Sequence, residues 1–242
     1  MAEFHPTAVV DTRSFAPDVV IDACAVVGPH VTVGSNVRIH AGAVIMGFVD
    51  IGAGTEIFPG AVIGKPPARS AALSRRHTGG GTVRIGERNS IGAHAVVTED
   101  VVIGDDSLVG DGATIRERCR VGRGCIVGRG VSLHPDCAIG DRTRIMDNSH
   151  LATATRLGEE CFVSIQVSTV SDRAIGRKSF DADRVRGPVV GDRVAIGAGA
   201  ILLSGIVVGD DATIGAGALV TRDVPAGAHM RGAPAKPITV EG

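Results

Sequence analysis

The chain of 242 residues carries a formal net charge of −1, is 44% hydrophobic yet only 2% aromatic, and contains neither Trp nor Tyr. A charge this close to zero argues against nucleic acid or an anionic membrane as a partner, and the scarcity of rings excludes a conventional globular core of this size. Residues 1–20 have no apolar signal segment, and no apolar run approaches the roughly 18 residues that span a bilayer, so the chain reads as cytoplasmic, without membrane insertion.

From the N-terminus, Val9, Phe15, Ile21, Val27, Val33, Ile39, Ile45, Ile51, Ile57 and Ile63 stand six apart. The register breaks, resumes at Ile85 and runs through Ile91, Val97, Ile103, Val109, Ile115, Val121, Val127, Leu133, Ile139, Ile145, Leu151 and Leu157 to Val163. After a second break it returns as Val190, Ile196, Leu202, Val208, Ile214 and Val220. A helix would repeat every three to four residues and a half-buried strand every two. Six is a multiple of two, so each unit is predicted to be a short extended segment closed by a bend, with the aliphatic residue and the small residue four later sharing one interior. Thr55, Ala95, Ala200 and Ala218 hold that small position, and Gly52, Gly86, Gly104, Gly197 and Gly215 follow the aliphatic residue, where a Cβ would crowd the bend. Three units close a triangular coil, so the 30 units predict about ten coils, a rod on the order of 50 Å long. The 34 glycines are spread along the chain and belong to this architecture.

Cys119, Cys125, Cys137 and Cys161 also lie four after an aliphatic residue, and Cys24 is one residue off that phase. There is no C-x-x-C motif and the count is odd, so these thiols read as small hydrophobes rather than metal ligands or disulfides. Insertions in a solenoid map to loops on one face. The two breaks place such loops at 64–84 and 168–189, and both are basic: "GKPPARSAALSRRHTGGGT" holds Lys65, Arg69, Arg75, Arg76 and His77, and "STVSDRAIGRKSFDADRVRGP" holds Arg173, Arg177, Lys178, Arg184 and Arg186. Guanidinium-rich loops in a near-neutral chain fit an anionic ligand such as a phosphate or pyrophosphate.

The repeat, and "IGAGAILLSGIVVGDDATIGAGALV" above all, resembles the left-handed β-helix acyltransferases built on hexapeptide repeats, over nearly the whole chain from Val9 to Pro237. The resemblance implies an all-β, left-handed parallel β-helix over 1–220 with the two inserted loops, followed by a tail over 221–242. That tail, "TRDVPAGAHMRGAPAKPI", is similar to the closing segment of coenzyme-A-dependent members. Carried over, Gly197, Ala198, Gly215 and Ala216 approach the pantetheine arm, while Arg231 adds a charge and Lys236 faces a phosphate. The family also implies a homotrimer with active sites between subunits.

"MDNSHLATATRLGEECF" resembles the active-site coil of the sugar N- and O-acyltransferases, which implies His150, with Asn148, as the catalytic candidate. In the lipid A branch a second His stands three further on; Thr153 takes that place here. Phe162, Val163, Val167, Ser168 and Asp172 match the stretch after that coil in the branch acting on nucleotide-linked amino sugars, with Ser171 where Asn is usual. The chemistry needs an amine to attack a thioester, a proton acceptor, which neutral imidazole can be, and an oxyanion site, for which backbone amides near 164–172 are candidates. Substrate binding falls to Asp172, Ser171, Arg177, Arg75, Arg76 and His77. The reading is an acyltransferase moving an acyl group, acetyl by preference, from coenzyme A to a nucleotide-activated amino sugar, without a metal. The alternatives are an acyltransferase on another sugar or lipid A precursor, whose carrier-protein-dependent branch adds a helical domain, and a nucleotide-binding rod without turnover. A γ-type carbonic anhydrase would need two His five apart, a separation absent here.

Overall fold

In the computed structural model, residues 2–68, 70, 80–172, 174, 177 and 185–237 are described. They form a parallel β-helix with three sheets of 13, 11 and 10 strands, each strand two to four residues long. Every third strand returns to the same sheet. In the first sheet Ile91 pairs with Val109, Val109 with Val127, Val127 with Ile145 and Ile145 with Val163. In the second, Leu133 pairs with the residue one turn later, Leu151, and in the third Val121 pairs likewise with Ile139. Three six-residue units thus make each turn, as the repeat predicts.

The core is the column of repeat positions. Ile39, Ile45, Ile57, Ile91, Ile115, Ile145 and Leu151 are fully buried, each contributing about 1.5–3 kcal/mol by leaving water. The small inward positions Thr55, Ala95, Ala200 and Ala218 are buried too, as are Cys119, Cys125, Cys137 and Cys161, while Cys24 is exposed.

Two details differ from the sequence reading. Val9 is 52% exposed, and it is Val10 that pairs with Val27, so the unit before Phe15 is one residue shorter than six. The first sheet carries 12 parallel strands, so the rod has about twelve turns instead of ten. The additional units are Glu3–Phe4, ahead of the repeat, Ser168–Thr169, one step after Val163, and, beyond Val220, Val224, which bridges to Val208, and Met230, which pairs with Ile214. Eleven steps at the spacing of stacked strands give about 53 Å, so the predicted length holds.

The bends also refine the role of glycine. Left-handed backbone falls two places after the Gly position, at Asn148 (φ 57°), Arg118 (φ 62°) and Gly199 (φ 66°) among others. Glycine directly after the aliphatic residue answers to the next turn instead: a Cβ on Gly197 would stand 2.5 Å from the backbone nitrogen of Ala216.

Both insertions leave the rod at the same edge. The first follows Val62–Lys65 of the second sheet and rejoins at Val83–Ile85 of the third; the second follows Ser168–Thr169 and rejoins at Val189–Val190. Their bases are five strand steps apart along the second sheet, about 24 Å.

Candidate functional site

His150 opens the strand His150–Leu151 of the second sheet, midway in the chain between the tail and the first insertion. Leu151 points into the core, so alternation turns His150 outward, where it is partly buried. Ser132 and Ser168 pair with it on either side. These short neighbours leave room beside the imidazole.

The ring that fills that room is His134. Its centroid lies 4.4 Å from that of His150 with the planes at 67°. Burial, the charge of His150 and the Arg116 guanidinium push the His134 imidazole down to about 4, against a smaller opposing effect of Glu117. Arg116 stands one turn below His134, with its backbone N–H donating to the Leu133 carbonyl, and its side chain pairs at 3.1 Å with Glu117, whose carboxylate is only 3% exposed. Side chains from the core fasten the backbone beneath both rings. The Cys119 thiol donates to the His134 carbonyl at 3.1 Å, Cys137 to the Ala152 carbonyl at 3.3 Å, and the Thr169 hydroxyl accepts the Ala152 N–H at 2.7 Å. His134, Arg116 and Glu117 escape a motif search. The 18-residue turn was the signal: residues 16 apart are diagonal neighbours on adjacent strands.

Asn148 takes the left-handed corner two residues before His150, at the opposite edge of the second sheet from the insertions, and its N–H donates to the Arg129 carbonyl. This accounts for Asn there as a corner residue; the structure shows no side-chain bond from it to His150. Ser171 and Asp172 sit at the base of the second insertion. The Ser171 carbonyl accepts the Arg186 N–H at 3.1 Å, tying the two ends of that loop, and Asp172 Oδ1 accepts the Ala174 N–H at 2.7 Å. Arg177 is exposed, and Arg75, Arg76 and His77 lie outside the described residues. Of the amides expected to serve an oxyanion, those of Ser164, Gln166, Val167, Ser168 and Val170 already donate within the rod. That narrows the expectation to the amides of Ile165, Thr169, Ser171 and Asp172.

The tail folds onto the end of the rod. His229–Arg231 joins the first sheet beside Thr213–Ile214, and Lys236–Pro237 returns antiparallel to it, setting Lys236 opposite Arg231 with both side chains exposed. The Ala235 N–H donates to Leu219 and the Leu219 N–H to Gly232, which pins the hairpin to the second sheet. Gly197, Ala198, Gly215 and Ala216 line the corner from the first sheet to the second, directly below this hairpin. The Gly197 corner is two turns from the corner that precedes His150, about 10 Å along the axis. Among the described residues there is no helix, and no group of three His, Cys, Asp or Glu side chains placed to hold a metal ion.

The bacterial transferase hexapeptide model (six repeats) matches residues 30–65, 100–135 and 187–222, and the hexapeptide repeat of succinyl-transferase matches 82–117, together more than half of the chain. No curated protein sequence matches. Among solved structures, a UDP-N-acetylglucosamine acyltransferase from Campylobacter jejuni is similar over 98% of this chain and 75% of its own, with a TM-score of 0.62 and 19% identity. The corresponding protein from Bacteroides fragilis gives 0.57 and 22% over 98% and 72%, and LpxA from Acinetobacter baumannii gives 0.54 and 22% over 97% and 73%. At these identities the likeness is one of fold. With the repeat, the three-sheet rod and the matched models in agreement, the chain belongs to the left-handed β-helix, hexapeptide-repeat family of bacterial transferases.

Proposed function

We propose that the protein transfers an acyl group, acetyl by preference, from coenzyme A to the amino group of a nucleotide-linked amino sugar, in the cytoplasm and as a homotrimer whose active sites lie between subunits. The observation that carries this reading is the placement of three features on and beside the second sheet. An outward imidazole, His150, stands between a glycine-lined corner ending in two exposed cations and an edge bearing both insertions.

In this reading Arg231 and Lys236 grip a donor phosphate, and the pantetheine arm runs down the corner at Gly215, Ala216, Gly197 and Ala198, where small residues let it approach the backbone. Arg177, Asp172 and Ser171, with Arg75, Arg76 and His77, receive the nucleotide and sugar. His150 takes the proton from the attacking nitrogen as the new N–C bond forms, and the thiolate leaves with the donor. Such proton transfer is worth roughly 10²- to 10⁴-fold, and holding the two substrates side by side contributes as much or more.

The two exposed cations would serve a phosphopantetheine on a carrier protein as well, and that is the second reading. Thiol release is measured with acetyl-coenzyme A, longer acyl-coenzyme A and acyl-carrier protein against a panel of nucleotide amino sugars. Release that requires a coenzyme A thioester and an amino sugar together supports the proposal; release only with the carrier protein favours the second reading; none with any donor, from a folded trimer, sinks both.

A further inference from the structure

A histidine that acts as a base is ordinarily oriented by a third group, which also stabilises the imidazolium formed when the proton arrives. Among the described residues no carboxylate or carbonyl reaches the His150 ring, and its one ring neighbour is His134. We propose that His134 is the positioning residue of His150: a second imidazole, on the adjacent turn, that stays neutral and stabilises the His150 imidazolium. This deepens the proposed function and rests on that reading of His150.

The surroundings explain why the two rings divide the work. His134 is half-buried, with the Arg116 guanidinium one turn below and the fastened Ala152 backbone one turn above. Glu117 opposes the effect of Arg116, but its carboxylate is buried and engaged with that same guanidinium at 3.1 Å. In the bend that follows His134, Asp136 is paired with Arg118. On the far side of His150 stands Ser168, followed in the chain by Ser171 and Asp172 at the loop base; at the opposite corner Asp147 is engaged with Arg129. Two imidazolium ions with ring centres 4.4 Å apart would repel strongly. Held down to about 4, His134 remains uncharged at neutral pH, so a proton arriving at the pair resides on His150. A neutral imidazole in contact then favours the cation through its lone pair or its ring face. Ala152, in register above His134, is small enough to leave the ring its place.

The test is a histidine NMR titration of wild type, His134→Ala and His134→Gln, with Tm and pH profiles of kcat and KM measured on the same samples. In His134→Ala the midpoint of His150 should fall by about one pH unit and kcat by roughly tenfold, with KM nearly unchanged. His134→Gln, which restores a neutral acceptor, should recover part of both. A purely structural role would lower Tm and leave the His150 midpoint in place, and that outcome in either folded variant overturns the proposal. The titration needs no substrate, so wild-type protein that shows the coupling yet acylates nothing would count against the proposed function alone.

Discussion

The edge from the third sheet to the first and the edge from the second to the third are made from the same repeat, yet they carry their charges differently. Along the first of these edges, Arg88 pairs with Asp106, Arg142 with Glu160 and Arg193 with Asp211. Backbone N–H groups of Glu87, Arg123, Glu159 and Asp192 donate to Asp105, Asp141, Asp192 and Asp210 one turn on. No insertion interrupts it. The other edge carries both insertions, one such pair in Arg118 and Asp136, a buried Glu117 held by Arg116 and, among the described residues, a histidine pair that no carboxylate hydrogen-bonds. An 18-residue turn leaves each corner position free to vary independently of the core. One edge can therefore be spent on ladder-like pairing while another keeps polar groups available for chemistry.

Substitutions that separate the two edges should have unequal effects. The largest is expected for His150→Gln, which should lower turnover by about 10²- to 10³-fold while leaving Tm nearly unchanged, since the side chain faces outward; equal activity of the variant would remove chemistry from that edge. Next, reversing both tail charges with Arg231→Glu and Lys236→Glu should raise KM for the donor by about tenfold or more, the loss of charge-assisted hydrogen bonds, with kcat held; calorimetric titration of coenzyme A reads the same change.

A pH effect comes third. Unfolded, the His134 imidazole protonates near its usual 6.5, and folded only at about 4. Above 6.5 both states are neutral there and the group contributes no pH dependence. As pH falls from 6.5 toward 4 the unfolded chain takes up a proton that the folded one refuses, so stability is lost across that window. Melting curves should show Tm falling over this range in wild type and falling less steeply in His134→Gln; parallel curves would mean that His134 is not held neutral. The smallest effect belongs to the paired edge. The Arg88 hydrogen bond holds the exposed Asp106 carboxyl below the usual range, and Asp106→Ala should cost a slight fall in Tm that fades with added salt, with turnover unchanged.

The rod was readable in the sequence because its cause is periodic. One aliphatic residue per six dictates the triangular turn, and the inward row from Ile21 to Ile63 and from Ile85 to Val163 lies where the repeat puts it. The reading slipped where the period is not kept, at the short unit between Val10 and Phe15 and at the added turns near Phe4 and Met230. His150 was legible through its neighbouring sequence, but its companion was not. His134 shares no motif with it, and only the pairing of adjacent turns brings the rings together. The facing of Arg231 and Lys236 was hidden for a similar reason, since it depends on an antiparallel return that interrupts the parallel pattern.

The central claim is that the outward face at His150 receives the acceptor nitrogen, with the donor entering from the tail corner. A crystal structure with coenzyme A and a nucleotide amino sugar tests it most directly. The account predicts the sugar nitrogen within about 3.2 Å of the His150 imidazole and the donor phosphates against Arg231 and Lys236. A sugar seated on the paired edge, or a donor bound away from the tail, would contradict it.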